Sequence, residues 1–140
     1  MSRSKSGLFL MEMIIAICFF AVASGICVQL FVAAHSISQR SANIQMAVMN
    51  AQSAAAAFKA TGQNTEALVT TLGASYHGGG QIVAWFNEEW EAVALEDGHH
   101  QMVVEKDLSV VPAVAYITVY DVASGDMLYS LSVSRYIGGE

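Results

Sequence analysis

The stretch SGLFLMEMIIAICFFAVASGIC, Ser6 to Cys27, determines the architecture of this chain. It opens an apolar run from Leu8 to Ala34, in which Glu12 is the only charged residue. A helix needs about 20 predominantly apolar residues to cross the hydrocarbon core of a bilayer, and this run exceeds that length. The sequence therefore predicts one membrane-spanning helix near the N-terminus.

A cleaved secretory signal is the alternative for this segment. Such a signal has an apolar core of roughly 7–15 residues followed by a small-x-small cleavage site. The run from Leu8 to Ala34 is longer than that core, but Ala21-Val22-Ala23 could serve as the site, so this alternative stays open.

The charges that flank the span predict its orientation. Arg3 and Lys5 precede the span, and only Arg40 lies close after it. The positive-inside rule then keeps the N-terminus in the cytoplasm and places the chain after about His35 outside. The sequence thus predicts a single-pass protein of the cytoplasmic membrane, with its N-terminus in the cytoplasm and its C-terminal domain outside.

Composition limits the possible partners. The chain has 140 residues and a formal net charge of −6, and its acidic residues cluster between Glu88 and Asp107. Nucleic-acid phosphates need a basic surface, so the charge argues against a nucleic-acid partner.

Glu12 needs an explanation, because a carboxylate at the centre of a bilayer costs about 2.5–3.5 kcal/mol on insertion scales. One interpretation is that Glu12 lies near the cytoplasmic end of the span and reaches the headgroups. The preceding residues suggest another. A short leader with Arg3 and Lys5 ends at Gly7, and Leu8-Phe9-Leu10-Met11-Glu12 follows. This arrangement resembles the processing site of type IV pilins and of the related pseudopilins of type II secretion and DNA uptake.

The resemblance implies specific roles for three residues. A prepilin peptidase would cut between Gly7 and Leu8, and the new amine of Leu8 would be methylated. Glu12 would then be the fifth residue of the mature chain, where the family has a glutamate thought to pair with the N-terminal amine of a neighbouring subunit in the filament. Supplying an opposite charge removes much of the penalty of burying this carboxylate. Glu12 is thus expected to act in assembly.

The resemblance also implies partners and a location. The partners are other pilin or pseudopilin subunits, the prepilin peptidase, a membrane assembly platform with its ATPase, and the lipid bilayer. The assembled form would be a filament at the cell envelope or cell surface. The chain departs from the common family pattern in having Leu8 for phenylalanine, Phe9 for threonine, and no proline before Pro112. The first two departures are mild, whereas the missing proline, together with the acidic globular part, favours a minor pilin or pseudopilin over a major filament subunit.

The helix is expected to continue beyond the span. No glycine or proline occurs between His35 and Ala60, and apolar residues recur there at helical spacing. They are Ile37, Ile44, Val48, Ala51, Ala55 and Phe58. The pattern predicts one helix from Leu8 to roughly Lys59, with Gly62 as the stop. Two helices with a break near His35 are the alternative.

The C-terminal part shows the pattern of a small antiparallel sheet. Thr65 to Leu72 predicts a short helix, capped by Thr65 or Asn64 and closed by Gly73. Gly78-Gly79-Gly80 predicts a flexible break. Strand-like runs alternate with turn signals at Gln81 to Phe86, Glu89 to Leu95, His100 to Glu105, Ala113 to Val122 and Met127 to Tyr136. We therefore expect an α+β fold in which a long N-terminal helix packs on an antiparallel sheet of about four or five strands.

These patterns divide the chain into four segments. By the resemblance, residues 1–7 would be the leader and 8–34 the transmembrane and assembly helix, and the helical spacing predicts an amphipathic helix over 35–60. Residues 61–140 form the extracytoplasmic α+β head.

Residues with the chemistry of an active site or metal centre are few. His99-His100 lies beside Glu96 and Asp97, but neighbouring side chains in a strand point to opposite faces, so we interpret the histidines as solvated turn residues. Glu88, Glu89 and Glu91 are interpreted as a charged loop tip. The sequence predicts no catalytic residue, no metal site and no cofactor, and hence a protein that is not an enzyme.

Two functions remain for comparison. The first is a structural subunit of a type IV pilus-like or type II secretion or DNA-uptake filament. The second is a single-pass, membrane-anchored binding module that does not polymerise, in which Glu12 would be incidental. A third, an anchored enzyme, has no residues that favour it.

Overall fold

A computed structural model describes residues 2–136 of the chain. Two α-helices are present, α1 at Ser2–Thr61 and α2 at Thr65–Leu72, with a 3-10 helix at Leu95–Asp97. The strands are β1 at Ser75–His77, β2 at Gln81–Phe86, β3 at Ala92–Val93, β4 at His100–Asp107, β5 at Ala113–Asp121 and β6 at Met127–Arg135. The predicted α+β class, with a long N-terminal helix and an antiparallel sheet, is confirmed.

The long helix α1 has no break near His35, so the two-helix alternative is wrong. The alanine-rich stretch before Phe58 has high helix propensity and contains no glycine or proline to interrupt it. The helix ends where Gly62 adopts a left-handed conformation with φ of +62°. The Gly62 N–H donates to the Phe58 carbonyl at 2.9 Å. Gly62 is therefore the stop that the sequence predicted.

The chain divides into two compact units, residues 1–41 and residues 42–140. The first unit consists of the N-terminal part of α1, whose large apolar side chains are exposed. The second, here called the globular unit, contains the rest of α1, α2 and the sheet.

The sheet has the strand order β1-β2-β4-β5-β6, and β3 pairs with the end of β2, at Trp85 and Phe86, beyond the residues that pair with β1. All pairs are antiparallel, as the short connections predicted. One continuous row of register partners runs through Ile82, Val104, Ile117 and Leu131. Side chains in this row lie on one face, here called the inner face of the sheet, because facing residues of antiparallel strands point to the same side.

The core lies between the inner face and the helices. Its helical side is built mainly from alanines of α1 together with Phe58, and Leu68 adds to it from α2. Phe58, Leu68 and Ile117 are fully buried. Small side chains let α1 approach the sheet closely, and the large residues fill the space that remains. The predicted apolar face is correct from Ala51 to Phe58, but Ile37 is 69% exposed and does not belong to this core.

The short helix α2 has the predicted bounds. The Asn64 side chain caps it by accepting a hydrogen bond from the Ala67 N–H at 3.0 Å. Gly73 closes it in a left-handed conformation with φ of +59°. Of the two predicted caps, Asn64 is therefore the one used. The glycines at 78–80 form the turn of a hairpin that joins β1 to β2. The sequence analysis did not predict β1.

The predicted strand from Glu89 to Leu95 is wrong in its extent, because only Ala92–Val93 pairs with β2. Trp90 has φ of +63°, which a strand cannot accommodate. The Asn87 side chain accepts a hydrogen bond from the Glu91 N–H at 2.9 Å and so stabilises a tight loop in place of a strand. The three glutamates Glu88, Glu89 and Glu91, together with Trp90, therefore belong to a loop, here called the Asn87–Glu91 loop.

Candidate functional site

The residues singled out for processing and assembly lie on the exposed surface of α1. Gly7, Leu8 and Glu12 are all within the helix and exposed. The helix contains an 18-residue window with a mean hydropathy of 2.5, and none of that window is buried within the protein. By length and composition, this helix is long and apolar enough to cross a membrane.

Most of the side chains around Glu12 on its own helix are apolar. Glu12 shares a shallow surface groove with Leu8, Phe9, Met11 and Ile15, and the other charged residue that lines this groove is Lys5, about two turns towards the N-terminus. Among the side chains that the structure describes, none donates a hydrogen bond to this carboxylate or forms an ion pair with it. Lys5, the cation of the same groove, forms no ion pair with Glu12, so the carboxylate has no close partner within the described part of the chain.

Gly7 has no packing role in the chain. A Cβ atom built on Gly7 would meet no heavy atom within 4 Å. Glycine within a helix costs about 1 kcal/mol relative to alanine, so the fold alone does not favour glycine at this position. Gly25 shares both properties, since it is also helical and has open space around a built Cβ. The two glycines form a matched pair for testing whether Gly7 has a special role.

A second site, in the globular unit, is formed by Trp90 and His100. The indole of Trp90 stacks on the imidazole of His100 with ring centroids 4.0 Å apart and an interplanar angle of 7°. Phe86 lies beside the indole, with a centroid distance of 6.0 Å. The Asn87–Glu91 loop positions Trp90, whose N–H donates to the Asn87 carbonyl at 3.1 Å. The loop thus holds one aromatic side chain over one buried histidine.

His100 is not the solvated turn residue that the sequence analysis expected. It is the first residue of β4, only 5% exposed, and its Nδ1 has no hydrogen-bond partner. Burial lowers the pKa of His100 below its usual value near 6.5. Smaller electrostatic effects follow, from Asp121 and Glu88, which raise this pKa, and from His99, which lowers it. The imidazole is therefore held in its neutral form at neutral pH.

His99 points to solvent, so the two histidines lie on opposite faces as expected. Its Nε2 lies 3.5 Å from Oε1 of Glu88, and both side chains are more than half exposed. Within residues 2–136, no group of three or more histidine, cysteine, aspartate or glutamate side chains is arranged to hold a metal ion. The contact between His99 and Glu88 is exposed and of small energetic value.

A shallow cavity of about 270 Å³ lies on the opposite, outer face of the sheet. It is lined by Trp85, Gln101, Tyr120, Asp121, Val122 and Gly125. The Asp121 carboxylate accepts hydrogen bonds from the backbone N–H groups of Ala123 and Ser124, at 2.9 and 3.1 Å. Asp121 therefore has a structural role in the turn between β5 and β6.

The sequence analysis missed the pairing of Trp90 with His100, although one signal pointed to the histidine. His100, Met102 and Val104 alternate along β4 with the period of a strand. Since Met102 and Val104 are apolar, the same face should also contain His100. The sequence contains no comparable signal for the position of Trp90, because that position depends on the left-handed conformation of Trp90 itself.

Comparison with known proteins gives no relative for this chain. No protein-family model matches the sequence. Neither a curated protein nor a solved structure matches it. Any function must therefore be argued from the residues and geometry of the chain itself.

Proposed function

We propose that this chain is a structural subunit, a minor pilin or pseudopilin, of a type IV pilus-like or type II secretion or DNA-uptake filament. In this proposal the precursor is inserted in the cytoplasmic membrane with its N-terminus inside. The prepilin peptidase removes residues 1–7 and the amine of Leu8 is methylated. The assembly platform and its ATPase then move the subunit into the filament, where α1 packs among the helices of other subunits.

The observation that carries the proposal is the carboxylate of Glu12, which has no ion-pair partner among the described residues and lies on an exposed, mostly apolar helix surface. A stretch of helix with large apolar side chains exposed from Leu8 to Val32 must be buried in lipid or against other helices. In either setting a carboxylate without a close opposite charge is unfavourable, and Lys5, the cation of the same groove, would be removed with the leader. An amine on a neighbouring subunit would remove most of that penalty.

The positions of the two charges restrict how neighbours can pack. After cleavage, the Leu8 amine precedes Glu12 by four residues, or about 6 Å along the helix axis. Two subunits at the same height would place like charges side by side. A neighbour displaced along the axis by about 6 Å, roughly one helical turn, would instead bring its amine level with Glu12. The pair therefore favours a staggered, filament-like arrangement.

The proposal is tested by the incorporation of Glu12 variants into filaments of the native host. Glu12→Ala should be cleaved normally after Gly7 but should enter sheared filaments at least about tenfold less than the wild type, which corresponds to about 1.4 kcal/mol. Glu12→Gln should behave like Glu12→Ala, because it keeps the shape of the side chain and removes the charge. Gln29→Ala, which changes another polar residue of the same apolar run, should assemble normally.

The membrane-anchored binding module predicts a different outcome. If the chain never polymerises, neither the wild type nor any variant will be found in the sheared filament fraction. If Glu12→Ala enters filaments as well as the wild type, the proposed pairing of Glu12 is wrong.

A further inference from the structure

The stack of Trp90 on His100 joins a loop to the end of the sheet. His100 lies at the start of β4 on the inner face, and Trp90 comes from the Asn87–Glu91 loop that follows β2. Both side chains are buried, with 9% and 5% of their surface exposed for Trp90 and His100. We propose that this pair is a pH-sensitive clasp, which holds the Asn87–Glu91 loop closed at neutral pH and releases it on acidification.

The geometry favours the neutral imidazole. The rings are nearly parallel and 4.0 Å apart, so the indole shields one face of the imidazole from water. Nδ1 is buried without a partner. A proton added at Nδ1 would therefore be a buried donor with no acceptor, which is unfavourable. Protonated His100 would be attracted to the face of the Trp90 indole, which favours protonation. That attraction does not provide a hydrogen-bond acceptor for the proton on Nδ1.

The charges around His100 act in both directions. Asp121, its register partner on β5, and Glu88, from the loop, favour the protonated form. His99, the preceding residue, disfavours it, and burial is the largest influence and also disfavours it. Asp121 is already engaged by the backbone of the β5–β6 turn. The net balance therefore keeps the closed clasp neutral.

The direction of the pH effect follows from linkage. An open clasp exposes His100 to water, where its pKa returns towards 6.5, whereas in the closed clasp burial lowers its pKa. The open form therefore binds the proton more tightly, and acidification below about pH 6.5 shifts the equilibrium towards it. Stabilisation of the closed form is fully present above that pH and is lost as the pH falls through the lower pKa of the closed form.

The loop itself is built to relax once the stack is lost. Trp90 has φ of +63°, a conformation that a bulky residue adopts only when its surroundings impose it. The remaining contacts at the loop ends include the hydrogen bonds between Asn87 and Glu91 and the His99 N–H donating to the Phe86 carbonyl. These contacts hold the ends of the loop together while Trp90 swings outward, so that opening is confined to this loop.

The test uses the full-length protein in lipid nanodiscs with Trp85→Phe, so that Trp90 is the only tryptophan. Iodide quenching of its fluorescence is measured between about pH 8 and about pH 4.5, with far-UV circular dichroism on the same samples. Quenching should rise with a midpoint below about pH 6.5, and the open population should grow about tenfold per pH unit at first, as expected for one proton. The dichroism should stay constant.

Two further variants make the result specific to His100. In the same background, His100→Phe keeps an aromatic ring under Trp90 but cannot titrate, so its quenching should not change with pH. His99→Gln should keep the wild-type transition. A transition that persists in His100→Phe would overturn the proposal, as would a loss of secondary structure that coincides with the quenching change.

A direct measurement on the wild-type protein covers the case in which His100→Phe does not fold. The imidazole of His100 is titrated by nuclear magnetic resonance with selectively labelled histidine, and its signal is assigned by elimination with the variants His35→Gln, His77→Gln and His99→Gln. A pKa below about 6.5 is expected, and a pKa at or above that value would overturn the clasp. The result does not depend on filament assembly, so the clasp and the proposed function can fail separately.

Discussion

The guanidinium of Arg135 lies against the backbone of Gly62. A Cβ atom built on Gly62 would be 2.5 Å from Nη1 of Arg135 and 3.1 Å from its Cζ. Gly62 follows the last residue of α1, and Arg135 is the last residue of β6. The contact places a positive charge next to the negative end of the helix dipole and joins the end of the helix to the edge strand of the sheet.

This contact predicts that Gly62→Ala destabilises the globular unit. The left-handed conformation of Gly62 costs an alanine about 1–2 kcal/mol, and the Arg135 side chain must also move. Urea unfolding of the full-length protein in nanodiscs, followed by tryptophan fluorescence, measures the change in free energy. Gly78→Ala is the matched control, because a Cβ there meets nothing within 4 Å. Equal stabilities of the two variants would contradict the assigned role of Gly62.

The core of the globular unit predicts a large effect at Phe58. This side chain is fully buried between α1 and the sheet, so Phe58→Ala should lower the free energy of unfolding by about 3–5 kcal/mol. Val111→Ala should change it by less than about 0.5 kcal/mol, because Val111 is 75% exposed. The same urea experiment compares the two. A loss below 1 kcal/mol for Phe58→Ala would show that α1 does not pack on the sheet as described.

The cap of α2 predicts a smaller effect. Asn64→Ala removes the acceptor for the Ala67 N–H and should cost about 1 kcal/mol. Gln63→Ala, one residue earlier and exposed, should be close to neutral. If the two variants have the same midpoint of urea unfolding, Asn64 is not the cap that stabilises this helix.

The turn after β4 predicts a specific change in titration. The Ser109 hydroxyl and backbone N–H both donate to Oδ1 of Asp107, and these bonds, the hydroxyl first, lower the pKa of Asp107. Their stabilising effect is therefore present above about pH 3.8 and is lost as the pH falls below it. Ser109→Ala should raise the pKa of Asp107 part of the way back towards 3.8, measured by carboxyl chemical shifts. An unchanged pKa would show that the hydroxyl is not the main cause.

The sequence predicted most accurately those elements whose two ends are determined by residues at the ends themselves, such as a capping side chain or a glycine. The bounds of α2 follow from the Asn64 cap and the Gly73 stop, and both lie within the helix's own sequence neighbourhood. The bounds of β2 were likewise predicted from its apolar run. Tyr116, Thr118 and Tyr120 lie on the opposite face of β5 from Ile117 and Val119, as the two-residue period requires.

The elements that the sequence analysis missed depend on contacts between residues that are far apart in the sequence. The three residues of β1 have no pattern of their own and become a strand by pairing with β2. The strand expected from Glu89 was cut short by the left-handed Trp90, whose conformation is tied to its stack on His100. Burial of His100 likewise requires a loop to cover it. The alternation of residues along β4 indicates the correct face for His100, but a local pattern of this kind cannot predict which loop covers that face.

The glycine pair on α1 separates processing from packing. Gly7→Ala should block removal of the leader, because the peptidase would meet a side chain at the cleavage site, while Gly25→Ala should be processed normally. Neither change meets a steric obstacle within the chain. Immunoblots of native membranes distinguish the precursor from the shorter form. Equal processing of the two variants would contradict a recognition role for Gly7.

The central claim, that this chain is made as a precursor and trimmed for assembly, is tested most directly at its N-terminus. Intact-mass and peptide mass spectrometry of the protein purified from the membranes of its native host identifies the first residue. The proposal predicts a chain that begins at Leu8 with a methylated amine. A chain that retains Met1 or Ser2 in a host with an active prepilin peptidase would contradict it and leave a membrane-anchored domain.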